Sequence, residues 1–183
     1  MPSIERITER DQVAEEDRHH YDAIVASRGA VGAPYYYLLH QPELAARTAH
    51  LLGYARFESA LPTDIKELAV CAVAREMDCL YEWAAHKDDA LASGVKPEAV
   101  EAIEHRDDLH GLSSEDAALV EFVRQLLRPP HRISGATFGE VRTRLGDALI
   151  AELVGVIGAY AGLACSLNAF DVQPPEGRPV LPT

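Results

Sequence analysis

Apolar residues recur along this chain at helical spacing, and Gly and Pro fall between the periodic segments. No run alternates with the period of a strand. Residues 9–27 carry a weak stripe (Val13, Tyr21, Ile24, Val25) that ends near Gly29. Residues 32–40 read as a loop followed by an apolar, aromatic turn. Pro42 opens a second helix over 43–59, since the first helical position needs no N–H. Leu-Pro-Thr-Asp at 61–64 is a break, and Asp64 with Glu67 has the spacing of a capping box for a helix over 65–75. Met77 and Asp78 mark the next break, with Asp78 as cap of a helix over 79–92 that Ser93 and Gly94 close. Pro97 starts a helix running to Glu104. Ser113 and Asp116 form a second capping box for 117–127, and Pro129-Pro130 stops that helix. Helices over 136–145 and 148–170 complete an all-α set. Residues 145–153 faintly echo 61–68, each an acidic cap followed by an apolar stretch, which hints at two related helical hairpins. The expected organisation is one helical domain over 1–170. A Pro-rich extended tail follows over 171–183, of the kind that lies across a neighbouring subunit.

Composition narrows the setting. A chain of 183 residues, 48% hydrophobic and 25% charged, suits one compact domain with a core and excludes global disorder. Its net charge of −12 removes any general attraction for nucleic acid or anionic lipid. An acidic substrate would need a local cluster of Arg, Lys or His. Residues 1–12 are charged and lack a signal core. The most apolar stretch, 148–170, is interrupted by Glu152, several Gly or Ser and Asn168, so it reads as a buried helix rather than a membrane span. Three widely spaced cysteines do not make a disulfide framework. A cytoplasmic protein with no nucleic-acid or membrane partner is expected.

One helix carries candidate chemistry. Offsets of three and seven residues put Cys79, Glu82 and His86 within about 60° of each other, at roughly 100° per residue. Cys79 starts its helix, where unpaired backbone N–H groups favour a thiolate. Glu82, one turn before His86, can orient the imidazole and raise its basicity. Against this stands an ordinary i,i+4 pair beside a buried cysteine. The flanking Tyr81, Trp83, Ala84 and Ala85 favour a buried helix, in which a carboxylate and an imidazole need partners or a cavity. Glu82 and His86 also have metal spacing on one helix face, but no second pair accompanies them, so no metal is expected. No phosphate-binding glycine motif is present, and no cofactor is expected.

Glu67-Leu-Ala-Val, then Cys79-Leu-Tyr-Glu82-Trp-Ala-Ala-His86, Ala90 and Gly94-Val95 resemble the core of the carboxymuconolactone decarboxylase family. That family includes the alkylhydroperoxidase D group. The resemblance is strongest over 61–103 and extends weakly to Gln41-Pro-Glu-Leu before it and to residues 145–170 after it. It implies the alkylhydroperoxidase D-like all-helical fold, oligomerising through its helices as a trimer or hexamer.

The resemblance also implies two chemistries. In the peroxidase group the motif is Cys-x-x-Cys followed by His, with an upstream Glu that handles protons. Glu67, Cys79 and His86 match three positions, and Glu82 stands where the second Cys would be. In the decarboxylase group a lyase without cofactor removes carboxylate from an acidic lactone, and Glu82 followed by His86 is closer to that pattern. The expected function is therefore acid–base lyase or isomerase chemistry on a small organic acid or lactone. His86 is the general acid/base, Glu82 orients it, Glu67 relays protons and Cys79 lines the site. Glu67 also has the plainer reading of closing a capping box with Asp64. Candidates for contacting substrate are Tyr36, His50, Arg56 and Trp83, with Arg75 and His40 as further anion-binding groups. The alternatives are thiol-dependent peroxide reduction by Cys79 and a helical protein that binds a small ligand or partner without catalysis.

Overall fold

A computed structural model describes residues 4–182. Among them there are eight α-helices and no strand, as the hydrophobic period predicts. The helices fall into two compact units: the chain up to Ser59 together with Cys165–Val172, and Ala60–Ala164 together with the chain from Gln173 onward.

In the first unit, helix α1 (Arg18–Arg28) stops where Gly29 takes φ 81°, a conformation suited to glycine. A short helix α2 (Tyr35–Leu38) and helix α3 (Pro42–Gly53) follow. Helices α1 and α3 pack through Ile24, Ala45, Ala49 and Leu52, all buried. The Arg28 guanidinium donates to the Ala49 carbonyl and lies over the Tyr35 ring, while Tyr37 stacks on Phe170 with centroids 4.8 Å apart. The sequence predicts one α-helix over 43–59, but its last turn, Tyr54–Glu58, is π-helical, with Ser59 N–H donating to the Tyr54 carbonyl.

The second unit is built around helix α4 (Thr63–Glu76). Every residue from Ile65 to Arg75 is buried, the charged Lys66, Glu67 and Arg75 among them, and the rest of the run is apolar and rich in small residues. Helices α5 (Leu80–Ala92), α6 (Pro97–His105) and α7 (Ser114–Leu127) pack against it. Two predicted caps differ from the structure. Pro62 is the N-cap residue of α4, so Asp64 closes no capping box with Glu67. Cys79, not Asp78, is the N-cap residue of α5, and its amide donates to the Ala74 carbonyl. Asp78 instead takes φ 47° at the corner and turns its carboxylate to Arg75 and Arg106, at 2.8 and 3.0 Å. The Ser113 cap is present, its hydroxyl accepting from Asp116 N–H. Helix α8 (Gly135–Ala169) is interrupted at Gly146, with φ 75° and ψ 171°, as the two predicted segments require, and Arg142 pairs with Asp147 across the interruption. By length and composition α8 is apolar enough to cross a membrane, whereas the sequence reading expects no such run. One face of it, including Leu153, Val156, Ile157, Tyr160 and Ala164, is buried within the protein.

Candidate active site

Helix α4 presents Glu67 and helix α5 presents Glu82 and His86, and the three side chains meet inside the second unit. His86 is 1% exposed, with Glu67 and Glu82 nearly as deeply buried. The His86 Nδ1–H donates to Glu67 Oε2 at 2.7 Å. On the other side of the ring, Nε2 lies 3.4 Å from Glu82 Oε2, an ion-pair distance without the geometry of a hydrogen bond. Burial by itself pushes the imidazole pKa down. The hydrogen bond to Glu67 and the two nearby carboxylate charges outweigh it, and the His86 pKa is pushed up to about 9. At neutral pH the cluster is an imidazolium held between two carboxylates.

The His86 ring packs in a T-shaped arrangement with Tyr160 of α8, with centroids 5.2 Å apart and planes at 87°. Burial of Tyr160 follows from its place on the apolar face of α8, but its contact with His86 spans 74 positions of sequence that no local pattern connects. Trp83, one turn before His86, is fully buried, with Lys87 Nζ 5.5 Å from its ring centre. The Trp83 indole N–H has no acceptor among the described residues.

The cysteines divide. Cys79 is fully buried at the start of α5. Cys71 is buried in α4, and burial pushes its thiol far above the ordinary cysteine range, so it is neutral. Cys165 is exposed on α8. No disulfide joins any of the three.

Other residues singled out in the sequence are distributed over both units. Tyr36, His40, His50 and Arg56 belong to the first unit. Arg75 is buried in α4 and its guanidinium is bound to Asp78. Asp89, absent from the sequence-based candidates, completes a group with Glu67 and His86 in which one oxygen or nitrogen of each lies within 4.8 Å of the others. Such spacing is also found around metal ions, although here His86 Nδ1 is directed at Glu67. The cavities of about 740, 420 and 180 Å³ in this unit are lined by none of Glu67, Cys79, Glu82 and His86.

Comparison with known proteins agrees with this architecture. Residues 42–123 match the carboxymuconolactone decarboxylase family. The fold matches the crystal structure of an alkylhydroperoxidase AhpD core, an uncharacterized peroxidase-related protein from Ralstonia eutropha JMP134. The TM-score is 0.71 at 16% identity, over 96% of this chain and 95% of that one. No curated protein sequence matches the chain.

Proposed function

We propose that the chain, whose residues 42–123 match the carboxymuconolactone decarboxylase family, is a cofactor-free acid–base enzyme acting on a small organic acid or lactone. The observation that carries this reading is the buried His86, held between Glu67 and Glu82 and protonated at neutral pH. A general acid has to keep its proton until a carbanion or enolate develops beside it, and an imidazolium braced by carboxylates does so. In a decarboxylation, the electron pair of the breaking C–C bond stays with the substrate carbon as CO₂ leaves. Nε2–H of His86 then protonates that carbon, and the ring recovers a proton from solvent. In an isomerisation the same group returns a proton at a different carbon. Glu82 steers the ring, and Glu67 fixes Nδ1 as a donor, so that Nε2 is the nitrogen that exchanges with substrate. Trp83 suits a substrate ligand, because a buried indole N–H without an acceptor costs stability unless something uses it. Burial of His86 means that substrate reaches Nε2 only when the helices around it part.

A thiol peroxidase cycle is the second reading. It is favoured by the position of Cys79 as the N-cap residue of α5, where the helix dipole stabilises a thiolate. Such a cycle needs a second thiol, from the protein or from outside, to release the oxidised sulfur. Glu82 occupies the place where the motif would supply it.

Carboxylated lactones and β-keto acids, followed by CO₂ release and by NMR of the product, test the first reading. His86→Gln is expected to lower turnover by about 10²–10⁴-fold and Cys79→Ser to keep most of it. Rapid peroxide consumption with a thiol donor, lost in Cys79→Ser, would replace it with the second.

A further inference from the structure

Two polar atoms on the buried face of α5 lack partners. Trp83 Nε1 and His86 Nε2 are both buried and have no hydrogen-bond partner among the described residues. Trp83 is 0% exposed and His86 1%. Helix residues three apart are neighbours, with Cβ atoms about 5–6 Å apart, so one small molecule can reach both side chains. Their chemistry differs. An indole N–H only donates and keeps its proton, whereas an imidazolium can donate a hydrogen bond or release the proton. The group that Trp83 serves is therefore an acceptor that takes no proton from it. Glu67 and Glu82 flank His86, and two carboxylates disfavour a further full negative charge in the bound ground state. A neutral carbonyl oxygen that gains charge only during the reaction meets both conditions. Lys87 adds to this. Its Nζ, held by Glu104 at 2.7 Å, lies 5.5 Å from the centre of the Trp83 ring, where its charge polarises the indole and strengthens the N–H as a donor.

We propose that the Trp83 indole N–H holds the substrate's carbonyl oxygen as it becomes an enolate oxygen, beside the carbon that His86 protonates. This rests on the reading of His86 as the acid of a lyase or isomerase. It narrows the substrate to an acid whose departing carboxylate sits on the carbon next to a ketone or lactone carbonyl, or is joined to that carbonyl through a C=C bond. As the C–C bond to the carboxylate breaks, its electron pair forms the C=C bond of the enolate and CO₂ leaves. The carbonyl π pair moves onto oxygen, which accepts the Trp83 hydrogen bond and takes no proton. When C=O re-forms, the C=C pair of the enolate takes the proton of His86 Nε2–H. The neutral ring then regains a proton from solvent, so one proton is consumed for each carboxylate lost as CO₂. Charge sits on the oxygen only between the two steps. The hydrogen bond is therefore stronger in the transition state than in the bound substrate, and it acts on kcat. Trp83 touches the reacting oxygen and in this role is a catalytic residue.

The probe is tetronic acid, a five-membered lactone enol that is an enolate at neutral pH, with γ-butyrolactone as the uncharged ring of the same size. Trp83 is the chain's one tryptophan, so the ¹H–¹⁵N spectrum carries a single indole N–H signal, and no turnover is needed to read it. Tetronate is expected to shift that signal downfield and γ-butyrolactone to leave it in place. By calorimetry, Trp83→Phe is expected to bind tetronate at least about tenfold more weakly. β-(3-Benzothienyl)alanine in place of Trp83 puts sulfur where the N–H was and keeps the shape of the buried side chain. It is expected to show the same loss, which separates the hydrogen bond from packing. For an acid that is turned over, both changes should lower kcat by about 10²–10³-fold with KM nearly unchanged. An indole signal that tetronate does not move overturns the proposal. So does a sulfur isostere that binds tetronate as tightly as the unaltered protein, or an indole N–H bonded to a water that tetronate leaves in place. Turnover lost in His86→Gln but kept in Trp83→Phe preserves the lyase reading and overturns the role of Trp83. A Trp83-dependent tetronate site without turnover on any lactone or keto acid removes the lyase reading and leaves the enolate-oxygen donor in place.

Discussion

His86 ties stability and chemistry to the same proton. An ordinary histidine titrates near 6.5, whereas here two carboxylates overcome burial and raise the folded-state value to about 9. A group raised on folding contributes stability that is fully present below its unfolded pKa, near 6.5, and is lost as pH climbs through about 9. The stabilisation is on the order of a few kcal/mol. Urea midpoints are expected to fall between pH 6.5 and 9.5, and the fall to flatten in His86→Gln. If that variant keeps the same pH slope, the imidazolium is not its source. Activity that needs the protonated ring should fall on the alkaline side, with kcat/KM in the free enzyme breaking near pH 9. Glu67→Gln removes the nearer carboxylate charge, so its break should move toward neutral pH; an unmoved break would detach Glu67 from the proton. The sequence placed Cys79, Glu82 and His86 on one helix, since offsets of three and seven are a local property. Glu67 lies 19 residues from His86 on another helix, and only the family resemblance connected them. The capping box suggested for Glu67 fails because Pro62 takes the N-cap position and the Glu67 carboxylate is bound to His86. Asp89 and Tyr160 went unnoticed because their partners are set by packing between helices, which leaves no local pattern.

At the scale of elements, helix identity was legible throughout and helix ends were not always so. Ends are decided by which residue absorbs the turn, and side-chain partners from other helices alter that choice. Asp78 looked like a cap, yet Arg75 and Arg106 claim its carboxylate, and the extended conformation moves to Cys79. Asp78→Ala removes the partner of the buried Arg75 while keeping a β-carbon at positive φ. It is expected to destabilise by about 1–3 kcal/mol. Asp78→Gly loses the same ion pairs but regains about 1 kcal/mol of backbone ease, so it should be the milder change in urea denaturation. Equal losses would show that the backbone at 78 carries no cost. The far end of α4 makes a second case. Glu76 places a carboxylate at a helix C-terminus, which the helix dipole disfavours, and its side chain is 6% exposed. Arg128 compensates with two contacts of 2.5 and 2.6 Å and Arg124 with one of 3.8 Å, joining α4 to α7. Glu76→Ala leaves Arg124 facing no opposite charge there, and a loss of about 3–5 kcal/mol is expected. A loss below about 1 kcal/mol would mean that the arginines find water instead.

At the scale of the molecule, assembly is the expectation that reaches furthest beyond one chain. Helix α8 exposes Ala151, Val154, Gly155, Gly158 and Gly162, a face without charge in a protein of net charge −12. A β-carbon built at Gly155, Gly158 or Gly162 meets nothing within 4 Å, so no contact within the chain requires glycine there. Each glycine inside a helix costs about 0.5–1 kcal/mol relative to alanine. Close approach of another helix is a physical reason to carry that cost, and a second copy of α8 is the partner that the trimer or hexamer expectation supplies. The two possibilities predict opposite results for Gly158→Arg. In a single chain the substitution has room and gains helix propensity, so the melting temperature rises or holds. In an assembly closed through this face, a buried guanidinium separates the subunits, the mass in sedimentation falls to one chain near 20.0 kDa, and the melting temperature drops with it. Trimeric or hexameric wild-type protein that becomes monomeric in Gly158→Arg is expected. A monomeric wild type, or a variant whose mass does not change, would remove α8 from any role in assembly.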